Sequence, residues 1–198
     1  MILQYIAHLA ATHPNTNAQH DDNMRTCDFW PVAYPADMHA IYNMPGHLIR
    51  RLQQLSSSIF AEQMRAAGSD LTSPQFAALT MLQEHPDIDQ ATLAGLIAHD
   101  RATIGGVIER LCAKGLIERR TNPLDRRAKI LVLTPEGERR VAQIRPIVET
   151  MQKNLLVGLD EAETAEFIRL AAKVAAAGND RTRAPLRMPK EKPDNPAR

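Results

Sequence analysis

Asp125, Arg126, Arg127 and Lys129 stand together just before an apolar run, Ile130, Leu131, Val132 and Leu133, and a helix start, Thr134, Pro135, Glu136 and Gly137, follows directly. Guanidinium groups grip phosphate oxygens through paired, charge-assisted hydrogen bonds. The chemistry this cluster can do is therefore to bind a polyanion. It ends a longer basic stretch: from Arg110 to Lys129 seven cations (Arg110, Lys114, Arg119, Arg120, Arg126, Arg127, Lys129) face two acids, Glu118 and Asp125, in a chain of formal net charge +1. A basic patch on a near-neutral protein is an electrostatic footprint for phosphate, although such a run also reads as a solvated charged face. A second set lies upstream, Arg101 and Thr103 followed by Gly105 and Gly106. A third is His47 and Arg51 at i and i+4, with Arg50 and Gln54 beside them.

Catalytic chemistry is not expected. The chain has no nucleophile elbow, no phosphate-binding glycine loop and no carboxylate dyad. His47, His85 and His99 are too scattered for a metal set, so neither a metal nor a cofactor is expected. Two cysteines, Cys27 and Cys112, form no CxxC pair, which fits a reducing cytosol. Cys112 reads as a small buried thiol or as a redox sensor. No apolar run reaches the roughly 18 to 20 residues of a membrane span, and the first ten residues lack the basic start of a secretion signal. A cytoplasmic protein with no membrane partner is expected.

The elements that must carry these residues are mostly helical. Hydrophobic residues make up 44% of the 198 and aromatics only 4%, a balance that favours helix packed on helix. Residues 1–43 have no clear period and read as a poorly ordered extension; Met24, Met38 and Met44 also admit a later start. Helix 1 is expected over 46–67, with Leu48, Leu52, Leu55 and Ile59 in one stripe. Helix 2 begins at Ser73 as N-cap and Pro74, carries Phe76, Leu79, Met81 and Leu82, and ends before Pro86. Helix 3 is expected over 90–99, capped by Asp89. Helix 4 is expected over 101–114, capped by Asp100 and closed by Gly115, with Ile104, Val107, Ile108 and Leu111 inward. Strands at 116–119 and 129–133 flank a turn near 122–125. Helix 5 starts at Pro135 under a Thr134 cap, and Pro146 should kink or break it. Helix 6 opens on the capping box Asp160 and Glu163. The Pro-rich, charged residues 178–198 read as a disordered tail.

Helices 3 and 4 around His99 and Asp100 make a helix-turn-helix, and the basic hairpin behind it makes a wing. The fold class is thus mainly α with a small β-wing. In this arrangement the second helix enters the DNA major groove by its N-terminal end, which carries Arg101, Thr103, Gly105 and Gly106. Arg101 and Thr103 can bond bases or phosphates. Two mid-helix glycines cost roughly 2 kcal/mol against alanine, so something must approach closely: DNA, or another helix packed tightly. Arg126 or Arg127 at the hairpin tip suits a narrow minor groove. Asp125 would orient that arginine, and Lys129, Arg119 and Arg120 would hold phosphates.

The run Leu93, Ala94 and Ile97, then Asp100 to Ile104, Leu111 with Lys114 to Arg119, Asp125-x-Arg127-x-Lys129 and Thr134 to Gly137 resembles the MarR family of transcriptional regulators over about residues 46–176. The resemblance implies a homodimer joined through helices 1, 5 and 6, bound to a pseudopalindromic operator, usually repressing, and released by small aromatic acids. It makes Arg127 the wing-tip reader. The chain departs from it at Gly105 and Gly106, where relatives usually carry polar or basic side chains. That shifts readout to Arg101, Thr103 and DNA shape. The stretch from Pro45 to Leu52 is similar to members that control aromatic or nicotinate breakdown. The resemblance places the effector between the dimer helices and the DNA lobe. There Arg50, Arg51, His47 and Gln54 offer partners for a carboxylate and a ring heteroatom, and Phe76 or Met81 a cover for the ring; His47 and Arg51 also read as dimer contacts or partners of acids. The organisation is an extension at 1–43, a dimerisation region at 44–70 and 135–177, a DNA-binding domain at 71–134 and a tail at 178–198. Rival readings are a redox-switched regulator using Cys112, and a winged helix that binds protein instead of DNA.

Overall fold

The structure is a computed structural model that describes residues 40–123 and 125–189. The chain divides into two compact units, residues 1–51 and 52–198. Up to residue 39 the expected N-terminal extension lies outside the described residues. In the first unit a 3-10 turn, Ala40–Asn43, leads into helix α1, Pro45–Ala66. The Tyr42 ring stands edge-on to His47, with centroids 5.3 Å apart.

The second unit holds the end of α1 and everything after it. Helix α2 is Ser73–Glu84, α3 Gln90–Leu96 and α4 Ile104–Ala113. Strands β1, Ile117–Thr121, and β2, Lys129–Leu133, form an antiparallel hairpin in which Ile117 faces Leu133 and Thr121 faces Lys129. Ile88 adds a single bridge to Leu131 on the outer side of β2. Helices α5, Pro135–Leu155, and α6, Glu161–Ala177, complete the unit. Its core takes Phe60 and Met64 from α1, Leu79 and Leu82 from α2, Leu93 and Leu96 from α3, and the inward stripe Ile104, Val107, Ile108 and Leu111 of α4. Val141, Ile144, Val148 and Met151 of α5 close it. These spacings are the i, i+3, i+4 rows that put side chains on one helical face.

Several boundaries differ from the sequence reading. The N-cap of α2 is Thr72, not Ser73, and its N–H donates to Gln75 Oε1 at 3.1 Å. Helix α3 stops at Leu96 because Ala98 turns left-handed, at φ 52°. His99 N–H then donates back to the Ala94 carbonyl at 2.9 Å, which closes the helix end. Helix α4 begins at Ile104, not Arg101, and Arg101 to Thr103 form the turn before it. Asp100 caps that turn, its Oδ1 accepting from Ala102 N–H at 2.8 Å. The first strand is shifted one to two residues on, to Ile117–Thr121. Helix α5 runs through Pro146 without a break.

The junction between hairpin and α5 is tight. Gly115 sits at φ 67° and ends α4, as its position before Leu116 implied. The Gly115 carbonyl accepts the Thr134 hydroxyl at 2.7 Å, and the Leu116 carbonyl accepts Thr134 N–H at 3.1 Å. Thr134 in turn caps α5, accepting from Gly137 N–H at 3.0 Å. A Cβ on Gly137 would run into the Leu116 carbonyl and the Leu133 side chain. The tail is corrected in part. Past α6 a 3-10 turn, Asn179–Arg181, leads into residues that fold back, with Ala184 buried. Asn179 brackets Leu186, its Oδ1 accepting from Leu186 N–H at 2.7 Å and its Nδ2 donating to the Leu186 carbonyl at 3.2 Å. These bonds hold residues 179–189 where composition alone suggested disorder; residues 190–198 lie outside the described ones.

Candidate nucleic-acid interface

The hairpin tip is shaped by Asp125. Its Oδ1 accepts from the backbone N–H of Arg127 at 2.9 Å, and its carbonyl accepts from Ala128 N–H at 2.9 Å. Asp125 therefore sets the turn through the backbone, not by gripping a guanidinium group. Arg126 and Arg127 are left exposed at the tip. Lys129 is tied across the hairpin, Nζ donating to Thr121 Oγ1 at 2.8 Å. Arg120 pairs with Glu118 at 2.9 Å, while Arg119 on the same strand is exposed. Lys114, part of the basic run in sequence, is drawn off to Asp70 at 2.8 Å. That pairing holds the Asp70 carboxyl below its ordinary value. The working cations of the wing are therefore fewer than the sequence count.

The turn into α4 presents Arg101 and Thr103, both exposed. The Thr103 hydroxyl donates to the Asp100 carbonyl at 3.1 Å, which leaves its lone pairs as acceptors. Asp100 stays ionised: the Ala102 N–H and then the Arg183 guanidinium, 3.3 Å away, pull its carboxyl below the ordinary value. Tight helix packing does not explain the two glycines. A Cβ on Gly105 would meet only Gln90 Nε2 at 3.7 Å, and one on Gly106 only the Arg110 guanidinium at 3.7 Å. Those are ordinary contacts with flexible side-chain ends. Nothing among the described residues demands a bare surface there.

Among the described residues, the other candidates from the sequence lie on α1, α2 and α4. In the first unit Arg50 and Arg51 are exposed, and His47 is half-buried with its Nε2 lacking a hydrogen-bond partner among the described residues. Gln54 is exposed in the second unit. Phe76 and Met81 are half-buried and pack against the core, Phe76 with its ring 6.2 Å from that of Phe60. Cys112 is half-buried against the core on α4, and Cys27 lies outside the described residues. Among the described residues no helix is long and apolar enough to cross a membrane. Sequence reasoning missed Arg183, which reaches Asp100 from the far end of the chain; its only local signal was a cation in a Pro-rich stretch.

A helix-turn-helix with an exposed arginine-tipped hairpin behind it defines the class: a winged helix DNA-binding protein. The comparisons agree. A family model of the MarR family matches residues 71–129. The transcriptional repressor NicR of Pseudomonas putida is 34% identical over 146 residues, which cover 73% of this chain and 91% of that protein. Two solved structures superpose with a TM-score of 0.63 each. One is BpsR of Bordetella bronchiseptica, 33% identical over 67% of this chain and 93% of its own. The other is PcaV of Streptomyces coelicolor in complex with its natural ligand, 35% identical over 70% and 96%. The chain belongs to the MarR family of winged helix transcriptional regulators.

Proposed function

We propose that this regulator is a ligand-responsive repressor of the cytoplasm, that it binds a pseudopalindromic operator as a homodimer, and that a small aromatic or pyridine carboxylic acid releases it. The observation that carries the DNA contact is the hairpin tip, where Asp125 fixes the backbone and leaves Arg126 and Arg127 exposed. Arg127 enters the minor groove, where negative potential is deepest in narrow segments. Arg101 and Thr103 meet the major groove. Gly105 and Gly106 let the DNA approach the helix closely, and Arg119, Arg126 and Lys129 hold backbone phosphates, Arg120 being engaged by Glu118. No catalytic role is proposed.

The dimer rests on apolar side chains left uncovered. Phe167, Leu170 and Val174 of α6 are exposed, as are Leu48, Ile49, Leu52 and Leu55 of α1. Helix α6 buries none of its residues, so its apolar side is stable in water only if something covers it. The effector reading is supported by relatives: the DNA binding of BpsR is regulated by 6-hydroxynicotinic acid, and PcaV was crystallised with its natural ligand. The carboxylate is assigned to Arg51, with Arg50 and Gln54, and a ring substituent to His47, whose Nε2 has no hydrogen-bond partner among the described residues. Phe76 and Met81 supply apolar surface for the ring.

The test is fluorescence anisotropy of the purified chain on DNA from upstream of its own gene, with and without a panel of aromatic and pyridine carboxylic acids. Tight binding released by one acid is the expected result. Tight binding that no acid disturbs removes the effector. Binding no stronger than to random DNA removes that operator.

A further inference from the structure

The residues after α6 form a strap that is fastened to the helix-turn-helix. The fastening is specific. A Cβ on Gly95 of α3 would lie 2.7 Å from the Pro185 carbonyl, so the strap lies against a helix surface that only glycine leaves open. Ala184 beside it is buried. The two bonds from Asn179 to Leu186 close the loop that delivers it. Arg183, its side chain 88% exposed, reaches Asp100 at 3.3 Å, at the head of the turn that leads into α4. Arg187 is exposed and shares one shallow cleft with Arg101, Thr92 and Asp89. The Asp89 carboxylate on that cleft is engaged, capping α3 through Thr92 N–H at 2.7 Å.

The strap thus adds two guanidinium groups to the turn that already presents Arg101. One of them offsets Asp100, an acid that would otherwise repel a phosphate backbone lying over this turn. We infer that residues 179–189 are a second DNA-binding element, with Arg183 and Arg187 holding backbone phosphates beside the recognition helix. The inference rests on the proposed DNA-binding reading and extends its interface to a part of the chain outside the winged helix. Phosphate contacts position a protein without reading sequence, so the strap raises affinity for all DNA alike.

The test compares the full chain with its Arg183→Ala/Arg187→Ala variant on DNA from upstream of the gene and on a random duplex, between about 50 and about 200 mM salt. Both arginines are exposed, so the variant keeps its fold, which circular dichroism checks. Each phosphate contact contributes about 0.9 to the slope of log affinity against log salt. The expected variant is weaker on both DNAs by the same factor, with a slope shallower by about 2, and the advantage of the wild type shrinks about tenfold across the salt range. A Gly95→Ala chain, which displaces the strap but keeps both arginines, is expected to lose affinity in the same uniform way. A double variant with unchanged affinity and slope overturns the proposal. So does one that binds more tightly, which would make the strap an inhibitory cover. A wild-type chain with no salt-dependent binding to either DNA overturns the DNA-binding reading itself, and the strap's role with it.

Discussion

At the scale of single residues, three positions hold conformations or surfaces that exchanges between glycine and alanine test directly. Gly105 and Gly106 are the second and third residues of α4, in its first turn and not mid-helix as the sequence suggested, with room for a Cβ at each. Replacing both with alanine is expected to stabilise the chain by up to about 1 kcal/mol, less than the interior helix-propensity difference because the first turn frays. That is a rise of roughly 2–4 °C in melting temperature for a chain of this size. The same variant is expected to bind operator DNA at least about tenfold more weakly, because the added methyls hold the helix off the groove. A variant that is more stable and binds equally well would remove close approach as the reason for the glycines. Ala98 is the opposite case, a side chain where glycine belongs. Its φ of 52° is left-handed, and that strain costs about 1 kcal/mol. Ala98→Gly is therefore expected to raise stability by about 0.5–1 kcal/mol in denaturant titration. The sequence hid this turn because it lacks the usual glycine signal: the apolar period of α3 runs on to Ile97, and only the backbone shows the reversal at Ala98.

At the scale of elements, the wing was legible because its signals are local. A Gly after α4, an apolar run with cations at its head and a Thr-Pro pair after it each act within a few residues, and the hairpin, its register side and the α5 cap follow from them. The inward stripe of α4 was legible for the same reason. The working charge of the wing was not. Lys114 is spent on Asp70 and Arg120 on Glu118, and pairing of this kind depends on tertiary position. Arg127→Ala tests what is left. If the tip enters the minor groove, operator affinity is expected to fall by about 1–3 kcal/mol, roughly fivefold to a hundredfold or more. Melting temperature is expected to stay unchanged, since the guanidinium is exposed and the turn is held by Asp125. Anisotropy and a thermal melt on the same sample separate the two. Within the tail, residues 179–189 depart from what composition suggested: Pro and charge read as disorder, but a close seat of Pro185 on Gly95 and the bonds of Asn179 to Leu186 tie this part down.

At the scale of the whole molecule, the ion pairs set the response to acid. Asp70 is held below its ordinary value of 3.8 chiefly by its hydrogen bond to Lys114, Asp100 by Ala102 N–H and Arg183, and Glu166 below 4.5 by Arg169. A depressed folded-state pKa stabilises above the unfolded value and is lost as pH falls through the folded one. Stability is therefore expected to be flat from pH 7 to about 5 and to fall only below about 4, with small steps because these groups face solvent. Melting curves across that range check it; a loss already between pH 7 and 6 would assign the response to histidine instead. The effector proposed above belongs to the same scale. Arg51→Ala is expected to leave operator affinity intact while abolishing release by the effector acid; normal release in that variant would put the carboxylate elsewhere. The route we propose for such a signal to DNA is the junction at Gly137. Thr134 binds the Gly115 and Leu116 carbonyls and the helix lies flush on Leu116 and Leu133, so hairpin and α5 have no slack between them and turn as one stiff lever. With 21 residues α5 is about 30 Å long. A tilt of about 5° at its far end then sweeps the hairpin through roughly 3 Å, as long as a hydrogen bond, which is enough to carry an arginine off its phosphate without unfolding anything.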